Sequence, residues 1–104
     1  MVTSITKEDI LNILDQVEHP EIAASLIELG MILDAELDDS SRTVNIAVGL
    51  PVETIPQAVE KALVENISEV LNELHLKAKV HFFDMPENQR RKFFEIARAR
   101  WKQG

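Results

Sequence analysis

The sequence predicts an α+β fold, a two-layer sandwich in which a small mixed three-stranded sheet is covered by helices. Three observations predict it. Apolar residues repeat at helical spacing in some stretches and alternate in others. The resulting order is helix, strand, strand, helix, strand, helix, so a hairpin is followed by a crossover that sets the third strand parallel to the second, with a right-handed connection. Finally, 104 residues with 45% apolar and 28% charged side chains match one domain with one core, spanning 1–104.

The first helix starts at Thr6, which can cap, with Asp9 three residues later in an approximate capping box. Ile10, Ile13, Leu14 and Val17 form its apolar stripe, and Pro20 ends it near Glu18. Glu21 to Leu29 reads as a brief helical turn with Ile22, Leu26 and Leu29 on one face, closed by Gly30 at a left-handed C′ position. Met31 to Leu37 alternates as a strand, Asp38-Asp39-Ser40-Ser41 turns, and Thr43 to Val48 returns. Gly49 to Glu53 reads as a loop. The longest helix then begins at Thr54, with a Thr54–Gln57 capping box and Pro56 in its first turn. Its apolar spacing runs from Ile55 to Leu74. Lys77 to Phe83 alternates as the third strand, and Pro86 suits the first position of a last, basic helix over 86–102.

The absence of cysteine removes disulfides, thiolate nucleophiles and cysteine-held metal. The N-terminus has no basic leader or long apolar run, and no stretch approaches the ~20 apolar residues of a membrane span. A cytoplasmic protein without a membrane partner is expected. Net charge −7 disfavours nucleic acid, whose phosphates would be repelled. The charge is uneven: from Pro86 to Gly104 six basic residues face two acidic ones, net +4, leaving −11 for the rest. A solvated helix face offsetting an acidic body is the ordinary reading; orientation of a partner is the functional one.

Catalytic machinery is not visible. The serines lie in no nucleophile elbow, there is no glycine-rich phosphate loop, and Asp38 and Asp39 fall in a turn. His19, His75 and His81 share no local ligand spacing, so surface or half-buried histidines are expected, with neither a metal site nor a cofactor. A metal reading would have to use His19, Glu21 and His81. All five aromatics lie in the last quarter of the chain. Neither Phe82-Phe83 nor Phe93-Phe94 can bury both rings on one face of a regular element. One ring of a pair is therefore exposed or at an interface, unless the last helix wraps and buries them all. Arg90, Arg91, Phe93, Phe94 and Trp101 form the candidate interface.

Three short motifs, in order, resemble the iron–sulfur cluster assembly accessory family, which includes SufT- and PaaD-like proteins and the N-terminal domain of Mrp-type carrier ATPases. They are His19-Pro20-Glu21 after the first helix, Ile27-Glu28-Leu29-Gly30-Met31-Ile32 before the first strand, and Gly49-Leu50-Pro51 before the long helix. The family typically has Asp-Pro-Glu, an Asp before Leu-Gly, and Gly-Cys-Pro at these places. Leu50 thus stands where the characteristic cysteine would be. The resemblance implies a site region of His19, Pro20, Glu21, Glu28, Gly30, Gly49, Leu50 and Pro51, and a non-enzymatic accessory or adaptor in iron–sulfur cluster assembly or protein maturation. Its partners would be a cluster carrier, scaffold or client. The alternative is a structural or regulatory interaction module that has lost the metal and sulfur chemistry, with a homodimer through Phe93, Phe94 and Trp101. Read simply, Gly30 and Gly49 serve turns, Pro20 stops a helix, and Leu50 is a packed loop residue.

Overall fold

The structure, a computed structural model, describes residues 5–52 and 55–101. Its elements are α1 (Lys7–Leu14), β1 (Ile32–Asp38), β2 (Thr43–Leu50), α2 (Gln57–Asn72), β3 (Lys77–Asp84) and α3 (Glu87–Arg100). The sheet order is β1-β2-β3, antiparallel then parallel. This is the expected α+β arrangement with a mixed three-stranded sheet. α1 and α2 pack on each other and on one face of the sheet, α1 over β1 and α2 over β3. Ala35, Val44, Ile46 and Val48 from that face bury against Ile10, Leu14, Leu63, Ile67 and Leu71 from the helices.

Local chemistry explains the ends. Thr6 Oγ1 accepts from the Asp9 N–H at 3.1 Å, and Asp9 Oδ2 accepts from the Thr6 N–H at 2.9 Å, a complete capping box. α1 stops at Leu14, short of the expected Glu18. Residues 17–19 are drawn into extended pairing with 24–26, through His19 N–H to Ala24 C=O, Leu26 N–H to Val17 C=O and the Glu18–Ser25 bridge. Pairing with a neighbouring segment has overridden helix periodicity there.

Ser25 and Glu28 make a second reciprocal cap: Ser25 Oγ accepts from the Glu28 N–H, and Glu28 Oε1 accepts from the Ser25 N–H. They start one helical turn, which Gly30 closes at φ 72°. The Gly30 N–H bonds Ile27 C=O and the Met31 N–H bonds Leu26 C=O, the paired bonds of a Schellman ending. α2 ends the same way, with His75 at φ 59° in the position usually given to glycine.

β2 continues through Gly49 and Leu50, which pair with Phe83 and Asp84; these two are strand rather than loop. Pro51, which has no N–H to offer the ladder, follows them. α2 starts at Gln57 behind Pro56, whose ψ of 138° is extended. Thr54, the expected cap, lies outside the described residues, as does Glu53. Pro86 likewise sits just before α3 rather than in it. α3 ends at Arg100, Trp101 is extended, and Lys102 lies outside the described residues. Among the described residues no helix is long and apolar enough to cross a membrane.

Candidate functional site

The motif residues lie on two neighbouring segments. One is the loop of residues 17–31 that follows α1. The other is the C-terminal end of β2, beside the end of β3. The Gly49 N–H donates to Met31 C=O at 2.7 Å, which ties the two together. One hydrogen bond thus connects the end of the loop with the end of β2.

Leu50 is 9% exposed and belongs to the core. Its carbonyl accepts from the N–H of buried Met85 at 2.9 Å. Pro51 is buried behind it. The end of β2 is thus closed by apolar packing, and a leucine offers neither a ligand atom nor a nucleophile. Gly49 packs closely: a Cβ there would lie 3.1 Å from the Leu33 side chain, which would have to shift slightly to admit it.

His19 is 6% exposed. Its Nδ1 accepts from the Glu21 N–H at 3.0 Å, across the Pro20 corner. This bond fixes the loop and places Nδ1 in a structural role. The imidazole meets the Phe93 ring edge-on, with centroids 6.4 Å apart. His19 and Pro20 also line a shallow groove with Asn66, Glu69 and Val70 of α2. Glu21 itself is exposed. His81 lies out on β3 with Nε2 3.4 Å from Asn45 Oδ1, so it is not gathered with His19 and Glu21. Among the described residues no three His, Asp or Glu side chains converge as a metal group.

Glu28 joins the loop to the last helix. One carboxylate oxygen caps Ser25, and the other accepts from Arg100 Nη1 at 3.1 Å. Ser25 Oγ donates to Asp15 Oδ1 at 2.7 Å. α3 is fastened to this loop at further points: the Ala23 N–H donates to Arg100 C=O at 2.8 Å, and Ile22 pairs with Trp101. The Ser25-x-x-Glu28 spacing was readable as a cap; the Glu28–Arg100 tie, 72 residues apart in sequence, carried no local signal.

The candidate interface residues divide. Phe93 is buried against His19 and Phe94, which removes it from the expected dimer surface. Arg90 turns inward, with Nη2 donating to Met85 C=O at 3.2 Å. Arg91 is exposed, as are Phe94 at 40% and Trp101 at 53%. Phe94, Ala97, Arg98 and Trp101 line a shallow, mostly apolar groove. Arg91, Phe94, Arg98 and Trp101 follow helical spacing, so arginines and aromatics alternate along one stripe.

A mixed three-stranded sheet with helices on one face, and a capped loop bonded to the end of its central strand, defines the class as a small α+β domain built around a strand-end loop cluster. Within that class the chain belongs to the iron–sulfur cluster assembly protein family, whose family model matches residues 7–80. An uncharacterized protein of Methanocaldococcus jannaschii is 46% identical over 35 residues, which cover 34% of this chain and 37% of that protein. The match thus spans little more than a third of that relative. No solved structure matches significantly. The family span stops inside β3, so α3 lies beyond it. The residues present do not fit a cluster or an iron ion held at this strand end, because Leu50 supplies no donor and His19 Nδ1 is engaged by backbone.

Proposed function

We propose that this chain is a non-enzymatic accessory in iron–sulfur cluster assembly that acts by protein–protein contact, with a cluster carrier, scaffold or client as its partner. The observation that carries the reading is α3. It lies outside the span shared with the family, is anchored on the site loop through Phe93, Arg100 and Trp101, and presents Arg91, Phe94, Arg98 and Trp101 outward. Exposed aromatics beside arginines are the residues that most often dominate protein interfaces. Their basic charge on an acidic chain favours an acidic partner surface. Leu50 supports the reading from the other side, since an interaction role needs no thiol.

The test is an anaerobic native pull-down with the full chain, read by mass spectrometry. The chain should enrich cluster carriers, scaffolds or their clients, and the exposed-residue variant Phe94→Ala/Arg98→Glu/Trp101→Ala should lose them while keeping its thermal midpoint. Equal recovery with that variant would remove α3 as the contact. Absence of any cluster-assembly protein would overturn the function.

A further inference from the structure

Among the described residues the sheet carries helices on one face only. The register gives the make-up of the other. Asp34, Ala47 and His81 lie side by side, as do Glu36, Asn45 and Lys79, and Asp38, Thr43 and Lys77. Side chains alternate along each strand, so these nine share the face opposite the core. β1 contributes a row of acids, β3 a row of bases, and β2 small or neutral side chains between them. At one end the pattern turns apolar. The register shift between Ile32 and Asp34 brings Leu33 to this face, against Gly49. Gly49 pairs with Phe83 on β3, which is 54% exposed.

We propose that this open sheet face is a self-association surface that pairs two copies of the chain about a two-fold axis parallel to β2. Such an axis turns the faces toward each other, lays β1 of one copy over β3 of its partner, and preserves position along the strands. The register then sets Leu33 opposite the partner's Phe83 and Asp34 opposite the partner's His81. It sets Glu36 opposite the partner's Lys79 and Asp38 opposite the partner's Lys77. Each pairing occurs twice, as an isologous contact requires. The charges are available: among the described residues the ion pairs are Lys7–Asp34 and Arg100–Glu28, so Glu36, Lys77 and Lys79 have no ion-pair partner among those residues.

Geometry also separates this mode from its rival. Edge-on pairing of β1 with a partner's β3 would leave a free edge on each copy and grow into chains, whereas face stacking closes at two. From strand spacing and rise, the face measures about 300 Å² per copy, against about 800 Å² for a stable interface. The dimer is therefore weak and exchanging.

Sedimentation velocity of the full chain, up to about 1 mM, reads this weak class of contact. At about 0.15 M salt the screening length of about 8 Å mutes the net repulsion between copies but not contact pairs. Wild type should move toward dimer mass as concentration rises. Glu36→Lys and Lys79→Glu should each abolish the shift, and the double reversal should restore it. Glu36→Lys lowers the net negative charge, so mere relief of repulsion would have the opposite effect. Phe83→Ser should also lose the dimer with an unchanged thermal midpoint. A monomer at the highest concentration, single reversals that associate like wild type, a double reversal that fails to recover, or growth past the dimer would each overturn the proposal.

Discussion

At the scale of single residues, Leu50 decides what chemistry the strand end can do. The resemblance in motif order puts it where the family's characteristic cysteine would stand, yet it is a core side chain with its carbonyl bonded to Met85. Leu50→Cys would install the only thiol in the chain. The smaller side chain should cost about 1–3 kcal/mol, in keeping with partial truncation of a buried leucine. A buried thiol in apolar surroundings has a raised pKa and little thiolate. Its reaction with a disulfide reagent should therefore be at least about tenfold slower in the native chain than in urea, since thiolate fraction and access both limit the rate. Labelling at the unfolded rate in both would show an open strand end and would return the site to metal or sulfur chemistry. His19 is likewise structural: the Glu21 N–H fixes its Nδ1, and Phe93 covers the ring.

At the scale of elements, α3 is held on the loop, not on the sheet, by its buried side chains together with the backbone pairing of Ala23 with Arg100 and of Ile22 with Trp101. Phe93 and Ala97 are its buried residues, and the Arg100–Glu28 pair is half-exposed on both sides, so that pair contributes at most about 1 kcal/mol. Phe93→Ala should therefore destabilise the chain by about 3–5 kcal/mol, as expected for a buried phenylalanine, while Arg100→Ala costs under about 1 kcal/mol. Urea unfolding of both variants checks the ranking, and a Phe93→Ala cost below that of Arg100→Ala would mean that α3 is held by charge instead. The elements themselves were largely legible. The Thr6–Asp9 cap, the alternation in β2, β3 and β1 from Asp34 onward, Gly30 at a helix end and the periodicity of α2 each depend on neighbours in sequence, whereas the register shift at the start of β1 turns Leu33 away from the Ala35 and Leu37 face on which simple alternation put it. What was not legible depends on distant partners. Residues 17–19 leave the helix because they pair with 24–26, and Gly49-Leu50 join β2 because Phe83 and Asp84 extend the ladder. The site followed the same division. Its two motif segments were found by their residues, but the burial of His19 and Phe93 and the Glu28–Arg100 tie needed α3 folded back on the loop.

At the scale of the whole molecule, charge sets how stability responds to pH. A hydrogen bond from Lys7 holds the Asp34 carboxyl below its ordinary value of 3.8. The Ser40 and Ser41 side chains do the same for Asp38. A carboxyl depressed in the fold contributes stability that is fully present above its unfolded pKa and is lost as pH falls through its lower folded value. Lys7 is raised above 10.5, chiefly by its hydrogen bond to Asp34. Its contribution is complete below that value and is lost as pH rises through the folded one. Stability from these groups is therefore flat across neutral pH and falls away at both ends. All three groups are solvent-exposed, so the effect is screened by salt. The urea midpoint should drop below pH 3.8, and it should drop less steeply at about 0.5 M salt, where the screening length is only a few ångströms. Asp34→Asn removes one depressed carboxyl and should flatten the acid limb; the alkaline limb of the same variant should flatten too, because Lys7 without that carboxylate is no longer held above its unfolded value. An acid limb unchanged in Asp34→Asn would show that the Lys7–Asp34 pair contributes nothing to the fold in solution.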